Sequence, residues 1–226
     1  MRLLHCSDFH GNSRWFDWLV AQAPKYDLVC LTGDLLDLFE IHRVNDQLRM
    51  VKAALRRVST PLALCSGNHD SFSGPPAPAS LQHAAWLDEL RRPGVWVDGD
   101  AFTMAGLRFH CIGWNGSLPI ADPTAAWLYH APPSRSPVSC GLDGSEMGDE
   151  ILREFCLSAK SPSLVLSGHQ HNPRRWVCHV GRTWCLNPGN DRQATDPNHI
   201  VIDTSALTVT LHTDRGAPTT VTLEML

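Results

Sequence analysis

Five short polar blocks interrupt the apolar stretches of this 226-residue chain, and their side chains are those that ligate divalent metals. They are Asp8-Phe9-His10, Gly33-Asp34-Leu35-Leu36-Asp37, Gly67-Asn68-His69-Asp70, the lone His130, and Gly168-His169-Gln170-His171. In extended backbone, residues i and i+2 point to the same side. Asp8 and His10 can therefore face one ion together, as can His169 and His171. Glycines ahead of three blocks let the backbone turn sharply and approach an ion. Two carboxylates, an amide oxygen and up to five imidazoles suit Mn²⁺, Fe, Zn²⁺, Ni²⁺ or Co²⁺ better than Ca²⁺, which takes all-oxygen shells. Any one block alone is ordinary turn or capping chemistry. Five in order, each closing an apolar run, have no packing explanation and point to a metal site.

The elements that would carry these blocks follow from hydropathy. Residues 2–6, 28–31 and 61–65 are short apolar runs that read as buried strands. Residues 13–23, with Ser13 as N-cap, and 44–58 carry helical stripes between them. Strand alternating with helix implies parallel strands and crossover helices. Ligand sites in such sheets lie at the carboxyl ends of strands, where the blocks fall. Residues 80–92 and 147–159 read as further helices. Residues 95–97, 101–104 and 107–113 read as strands of a second, more antiparallel sheet. Residues 164–166 form a strand, 174–180 with 183–186 a hairpin, 199–203 with 207–213 another, and 219–225 an edge strand. The fold class expected is α/β: two mixed sheets packed as a sandwich flanked by helices. No repeat or linker divides the chain, so residues 1–226 read as a single domain.

Composition narrows the class. An apolar share of 43% and a charged share of 19% exclude a disordered or coiled-coil chain. No apolar run approaches the roughly 18 residues of a membrane helix, and the N-terminus lacks the pattern of a signal peptide. A net charge of −4 gives no reason to expect nucleic acid or an anionic membrane as partner. The eight cysteines form no Cys-x-x-Cys pair and sit mostly in apolar runs, which reads as reduced core thiols in a cytoplasmic protein. Trp15, Trp18 and Trp86 fall on helical stripes, whereas Trp114 and Trp127 flank a Pro- and Gly-rich stretch and could line a substrate mouth.

The five blocks in this order resemble the calcineurin-like metallophosphoesterase superfamily, which is marked by Asp-x-His, Gly-Asp-x-x-Asp, Gly-Asn-His-Asp/Glu, a lone His and Gly-His-x-His. Asn187-Pro188-Gly189-Asn190 is similar to the Asn-Pro-Gly-Ser of its small, single-domain phosphodiesterase-like members, with Asn in place of the last Ser. The resemblance implies that Asp8, His10 and His171 hold one metal, Asn68, His130 and His169 the other, and that Asp34 bridges both. It implies His69 beside the substrate, as general acid or electrostatic stabiliser. His130 rests on the apolar run before it and the Ala131-Pro132-Pro133 after it; His110, inside a strand pattern, is its competitor. The cofactors implied are two divalent transition-metal ions, Mn²⁺ first, with Fe, Zn²⁺, Ni²⁺ or Co²⁺ as alternatives. Between them a hydroxide would attack phosphorus. Asp37 and Asp70 are candidates either for orienting ligands or for turn capping.

The expected activity is hydrolysis of a phosphodiester, or a phosphomonoester, of a small molecule, with specificity set by residues 71–79 and 115–145. The partner expected is a small phosphorylated substrate, with neither membrane nor nucleic acid. Two alternatives stand beside it. A metal-dependent nuclease would use the doublets Arg56-Arg57, Arg91-Arg92 and Arg174-Arg175, which otherwise read as solvated faces. A non-catalytic scaffold would keep the fold alone, but such a chain has no need of a full ligand set.

Overall fold

The computed structural model describes residues 1–72, 79–119 and 122–223. Strand β1 (Arg2–Cys6) pairs in parallel with β2 (Leu28–Thr32), which pairs in parallel with β3 (Leu62–Cys65), and β3 with the two-residue β4 (Val95–Trp96). The second sheet holds β5 (Ala101–Met104), β6 (Leu107–Ile112), β7 (Ala125–Tyr129), β8 (Leu164–Leu166), β9 (Val177–Val180) and β10 (Thr183–Leu186) in the order β5-β6-β7-β8-β10-β9. Strands β11 (His199–Asp203), β12 (Thr208–His212) and β13 (Thr219–Thr222) return to the first sheet, whose order is β13-β12-β11-β1-β2-β3-β4. Both sheets are mixed and packed face to face with helices outside, as expected.

Sheet membership differs from the sequence reading in three ways. The run at 95–97 joins the parallel side of the first sheet through β4. The second sheet is parallel through β6, β7, β8 and β10, with antiparallel pairing only at its β5 and β9 edges. The hairpin of β11 and β12 extends the first sheet next to β1. Short apolar runs specify that a strand is buried, but not which strand it pairs with.

Alternation along the strands explains the layers. Leu3, Leu28, Cys30 and Ala63 face inward against Phe109, Ala126, Leu128, Leu164 and Leu166 of the other sheet. Their neighbours Leu4, Val29, Leu31 and Leu64 face outward beneath helices. Those helices are α1 (Ser13–Gln22) and α2 (Val44–Arg57). Strands covered on both faces read as continuous apolar runs. Helix α3 (Glu150–Leu157) covers the second sheet, burying Leu152 and Cys156 against Trp127 and Val165.

The helix ends depart from expectation by one or a few residues. Asn12, not Ser13, caps α1, its side chain accepting from Arg14 N. Asp149 caps α3 by accepting from Leu152 N, so that helix starts later than residue 147. The segment Ala79–Leu90 is 3-10 rather than α-helical, and it breaks where Gln82 is extended and His83 and Ala84 turn left-handed. Tertiary anchors account for the break: Phe72 N donates to Leu81 O, and Trp86 Nε1 donates to Asp70 O at 3.0 Å. Leu81, Trp86, Leu87 and Leu90 remain buried.

Candidate dinuclear metal site

The carboxyl ends of β1, β2, β3, β7 and β8 converge on one edge of the sandwich, each followed by one polar block. Backbone hydrogen bonds stitch the blocks together. Asp8 N and His10 N donate to Gly33 O and Asp34 O, joining the first two blocks. Gly168 N donates to His130 O, joining the last two. His130 Nδ1–H donates to Thr32 O at 2.6 Å and ties the two sheets across the site.

Close approach demands glycine at two of these turns. A Cβ on Gly67 would overlap the Asp34 carboxylate, and one on Gly168 would overlap Ser7 Oγ and the Asp8 carboxylate. The backbone is also strained at the site. Asp8, His10, Asp34 and His169 all adopt positive φ, at 60°, 44°, 51° and 66°. Left-handed backbone costs a non-glycine residue roughly 1–2 kcal/mol. Four of the ten non-glycine residues with positive φ among the described residues thus fall at this one site, and backbone strain of this kind clusters at functional sites.

All eight residues singled out in the sequence come together. Asp8, His10 and His171 place one ligand atom each within 4.8 Å of one another, and so do Asp34, His130 and His169. His171 Nε2 lies 3.3 Å from Asp8 Oδ1 and 3.1 Å from His10 Nε2. Asp34 Oδ2 stands between the groups, 3.8 Å from His10 Nε2 and 3.3 Å from His130 Nε2. Among the described residues, Asn68 Oδ1 and His130 Nε2 are buried with no hydrogen-bond partner. His69 forms a third grouping with His10 and Asp34, its ring edge-on to His10 at 4.7 Å. His110 lies on β6 opposite Trp127, outside every metal-competent grouping found among the described residues.

The donor set fits divalent cations. Asp8 and Asp34 are buried, and among the described residues their ionic partners are imidazoles alone. Burial pushes the Asp8 carboxyl up, but the His171 hydrogen bond and the charges of His130, His171 and His10 outweigh it and hold the group well below the usual carboxylate range. Asp34 is lowered in the same way, with His130 outweighing burial. Burial lowers His10 and His169 to about 4, leaving them neutral, as ligation requires. Burial also acts to lower His130, but the Asp34 and Asp8 charges raise it to about 9. That proton sits on Nε2, the atom a cation would take, because Nδ1 is committed to Thr32.

Two acidic residues shape the surroundings. Asp70, fully buried, accepts from Leu35 N, Leu36 N and Gly67 N at 2.9, 3.1 and 2.9 Å. It thereby fixes the Asp34 turn to the Asn68 turn. Burial and the nearby Asp34 charge push it up to about 8, against the Gly67 and Leu36 N–H donors and the His130 charge. Asp37 caps the next turn by accepting from Phe39 N at 3.0 Å, and it pairs with Arg192 at 2.5 Å. Asp37 Oδ1 lies 3.8 Å from His69 Nδ1, which accepts from Leu38 N at 3.1 Å.

A cavity of about 400 Å³ opens over the site, lined by Asp34, Phe39, Asn68, His69, Ser145, Met147, His169, Gln170 and His171. Phe39, Met147 and Arg192 were not foreseen. Phe39 lies inside an apolar stretch that reads as core, and Arg192 reaches the site only through tertiary folding. Trp114 is half-buried against His130 and His169, whereas Trp127 is fully buried and takes no part in the mouth. Of the two loops expected to set specificity, residues 73–78 lie outside the described residues, and 115–145 contributes Ser145. Asn190 Nδ2 donates to Asp8 O at 2.7 Å, holding the first block from behind.

The family model for calcineurin-like phosphoesterases matches residues 1–173. No curated protein sequence matches the chain. Among solved structures, the fold is similar to that of a dimetal phosphatase from Danio rerio, with 13% identity and a TM-score of 0.65 over 98% of each chain. It is also similar to an archaeal phosphodiesterase, with 15% identity and a TM-score of 0.55 over 99% of this chain and 100% of that one. Yfce, a phosphoesterase from E. coli, matches with 15% identity and a TM-score of 0.51 over 99% of this chain and 100% of that one. At these identities the likeness establishes the fold.

Proposed function

Because the chain belongs to the calcineurin-like phosphoesterase family, we propose that it hydrolyses a phosphodiester of a small molecule at a two-cation centre. In this reading Asp8, His10 and His171 hold one ion, Asn68, His130 and His169 hold the other, and Asp34 touches both. The observation that carries it is the position of Asp34 Oδ2 between His10 Nε2 and His130 Nε2, one from each group. The mixed nitrogen and oxygen donors suit first-row divalent ions, Mn²⁺ first, with Fe, Zn²⁺, Ni²⁺ and Co²⁺ as alternatives. Two such ions would neutralise phosphate charge and make water a nucleophile near neutral pH.

The chain's own residues supply the rest. His130 is oriented by Thr32 O, which fixes its Nδ1–H and turns Nε2 into the site. Leu38 N donates to His69 Nδ1, so the neutral ring carries its proton on Nε2. From there His69 donates a hydrogen bond to the oxygen on which charge develops as the ester bond breaks. Because Nδ1 is taken by the Leu38 N–H, the role the ring can fill is hydrogen-bond donation from Nε2, with Asp37 Oδ1 3.8 Å from Nδ1 adding a negative charge beside it. Asp70 holds the Asp34 and Asn68 turns in register.

The cavity favours the diester. Among the described residues neither Lys nor Arg lines it, and the nearby Arg192 is engaged by Asp37. A diester brings one negative charge where a monoester brings up to two, so it needs less positive charge beyond the ions. The nuclease reading is weaker: Arg57 pairs with Asp17, Arg91 with Asp88 and Asp100, and Arg174 donates to Gly141 O. The scaffold reading leaves the strain at four ligand positions unexplained. The pairing of β11 with β1 supports reading residues 1–226 as one domain. No helix among the described residues is long and apolar enough to cross a membrane. Six cysteines are buried as free thiols, which supports a cytoplasmic setting.

The test is turnover of bis(4-nitrophenyl) phosphate and 4-nitrophenyl phosphate by protein stripped of metal and reloaded with Mn²⁺, Zn²⁺, Fe²⁺ or Ni²⁺. Metal-dependent release of nitrophenol, faster from the diester, is the expected result. Faster release from the monoester reverses the preference. No turnover and no bound metal would hand the lead to the scaffold reading.

A further inference from the structure

The cavity over the candidate site contains two large apolar side chains that the fold leaves uncovered. Phe39 is 79% exposed and Met147 40% exposed, whereas Phe9, Phe16 and Phe109 are fully buried. Scattered exposed apolar residues are ordinary on any surface. These two are not scattered, because both line the one cavity that also holds Asp34, Asn68 and His69. They reach it from distant parts of the chain, Phe39 from the turn after the Asp34 block and Met147 from the segment before α3.

The position of Phe39 is built, not incidental. Its backbone N–H donates to Asp37 Oδ1 at 3.0 Å. Asp37 is held in turn by Arg192 through its carboxylate, and by Gln47 Oε1, which accepts from Asp37 N at 2.7 Å. The neighbouring Leu38 N–H donates to His69 Nδ1. One short segment thus fixes both the phenyl ring and the His69 ring, which meet edge-on with centroids 5.0 Å apart and planes at 67°. His69 and Phe39 therefore face the same cavity side by side, so a group bound beside His69 has the phenyl ring within reach.

We infer that Phe39 and Met147 form a subsite for a flat aromatic or heteroaromatic ring on the alcohol released by hydrolysis. This rests on the phosphoesterase reading above and names the class of its substrate. A ring suits the two residues chemically: the Phe39 ring offers edge-to-face or offset stacking, and the Met147 thioether is a polarisable partner for an aromatic face. Among the described residues the cavity lining offers neither Lys nor Arg, so the ring carries no further anionic group.

The experiment uses the Mn²⁺-loaded full chain and its F39A, F39W and M147A variants. The substrates are bis(4-nitrophenyl) phosphate and methyl 4-nitrophenyl phosphate, which share the released nitrophenol and differ in the group retained. F39A is expected to raise KM about tenfold for both, the range one aromatic contact supplies. Its kcat should stay within about twofold and its metal content should be unchanged. M147A should act in the same direction by a smaller factor, and F39W should restore KM. An unchanged KM in F39A overturns the inference, and an effect confined to the bis ester overturns its assignment to the released group. Binding of phenylphosphonate against methylphosphonate, followed by calorimetry, separates this inference from the reading beneath it. Preference for the phenyl compound that F39A abolishes supports the subsite even if neither ester turns over, in which case the phosphoesterase reading alone fails. Turnover without that preference overturns the subsite and leaves the phosphoesterase reading standing.

Discussion

Replacing Asp34 by Asn separates a ligand from a structural residue, because the two roles predict different dependence on metal. Asn keeps the shape, tolerates the φ of 51° at least as well as Asp, and can still accept from His69 N. Only the charge is lost. In metal-free protein that charge is paired with buried His130, so its removal should cost about 3 kcal/mol, or roughly 6 °C in melting temperature. With metal the outcome differs. An ion held at a hundred times its Kd stabilises the folded state by about 2.7 kcal/mol. For 226 residues an unfolding entropy of about 2.1 cal/mol/K per residue gives ~0.47 kcal/mol per degree, so each ion adds roughly 6 °C. Wild-type protein should therefore melt about 6–11 °C higher after Mn²⁺ loading, and D34N less than about 2 °C higher. Scanning calorimetry on stripped and reloaded protein, with metal counted per chain by mass spectrometry, reads both quantities. A D34N protein destabilised equally with and without metal would show Asp34 to be structural. One that still binds two ions would refute the shared-ligand role.

Three further substitutions extend the test. H69A should keep both metals while kcat falls by about 10²–10³, the usual loss on removing one hydrogen-bond donor to developing charge; an unchanged kcat removes His69 from the chemistry. D70A strips three buried N–H donors of their acceptor, so it should lose at least about 3 kcal/mol whether or not metal is present. Calorimetry showing a loss only in loaded protein would contradict that structural role. G67A places a methyl group against the Asp34 carboxylate, and metal content should drop below one ion per chain; two ions retained would show that the turn can yield.

The site was legible in the sequence because its chemistry is local. Each candidate ligand lies within a few residues of the end of an apolar strand, and period-2 spacing pairs Asp8 with His10 and His169 with His171. His130 was harder, since no glycine announces it, yet the run before it forms β7 and delivers it to Asp34. What the sequence did not disclose depends on partners far along the chain. Neither the return of β11–β13 to the first sheet nor the parallel order of β6, β7 and β8 follows from any window of residues. Ser13 and Asn12 are both good caps, and only the geometry selects Asn12. The stripe at 80–92 correctly marked which side chains are buried but not the winding, because anchors on Leu81 and Trp86 override helical propensity.

Phe39 shows why residues that choose a substrate are harder to read than residues that perform chemistry. By type it belongs in a core, and its neighbours Leu35 and Leu36 are fully buried. It is exposed because Asp37 turns the chain outward and holds the next N–H, while His69 takes the one between. The turn whose Leu38 N–H orients His69 therefore also forces a phenyl ring into solvent at the mouth. Uncovered apolar surface is costly, about 25 cal/mol for each Å² that burial would remove from water. A fold with many ways to bury one phenylalanine leaves this one where a substrate ring would cover it.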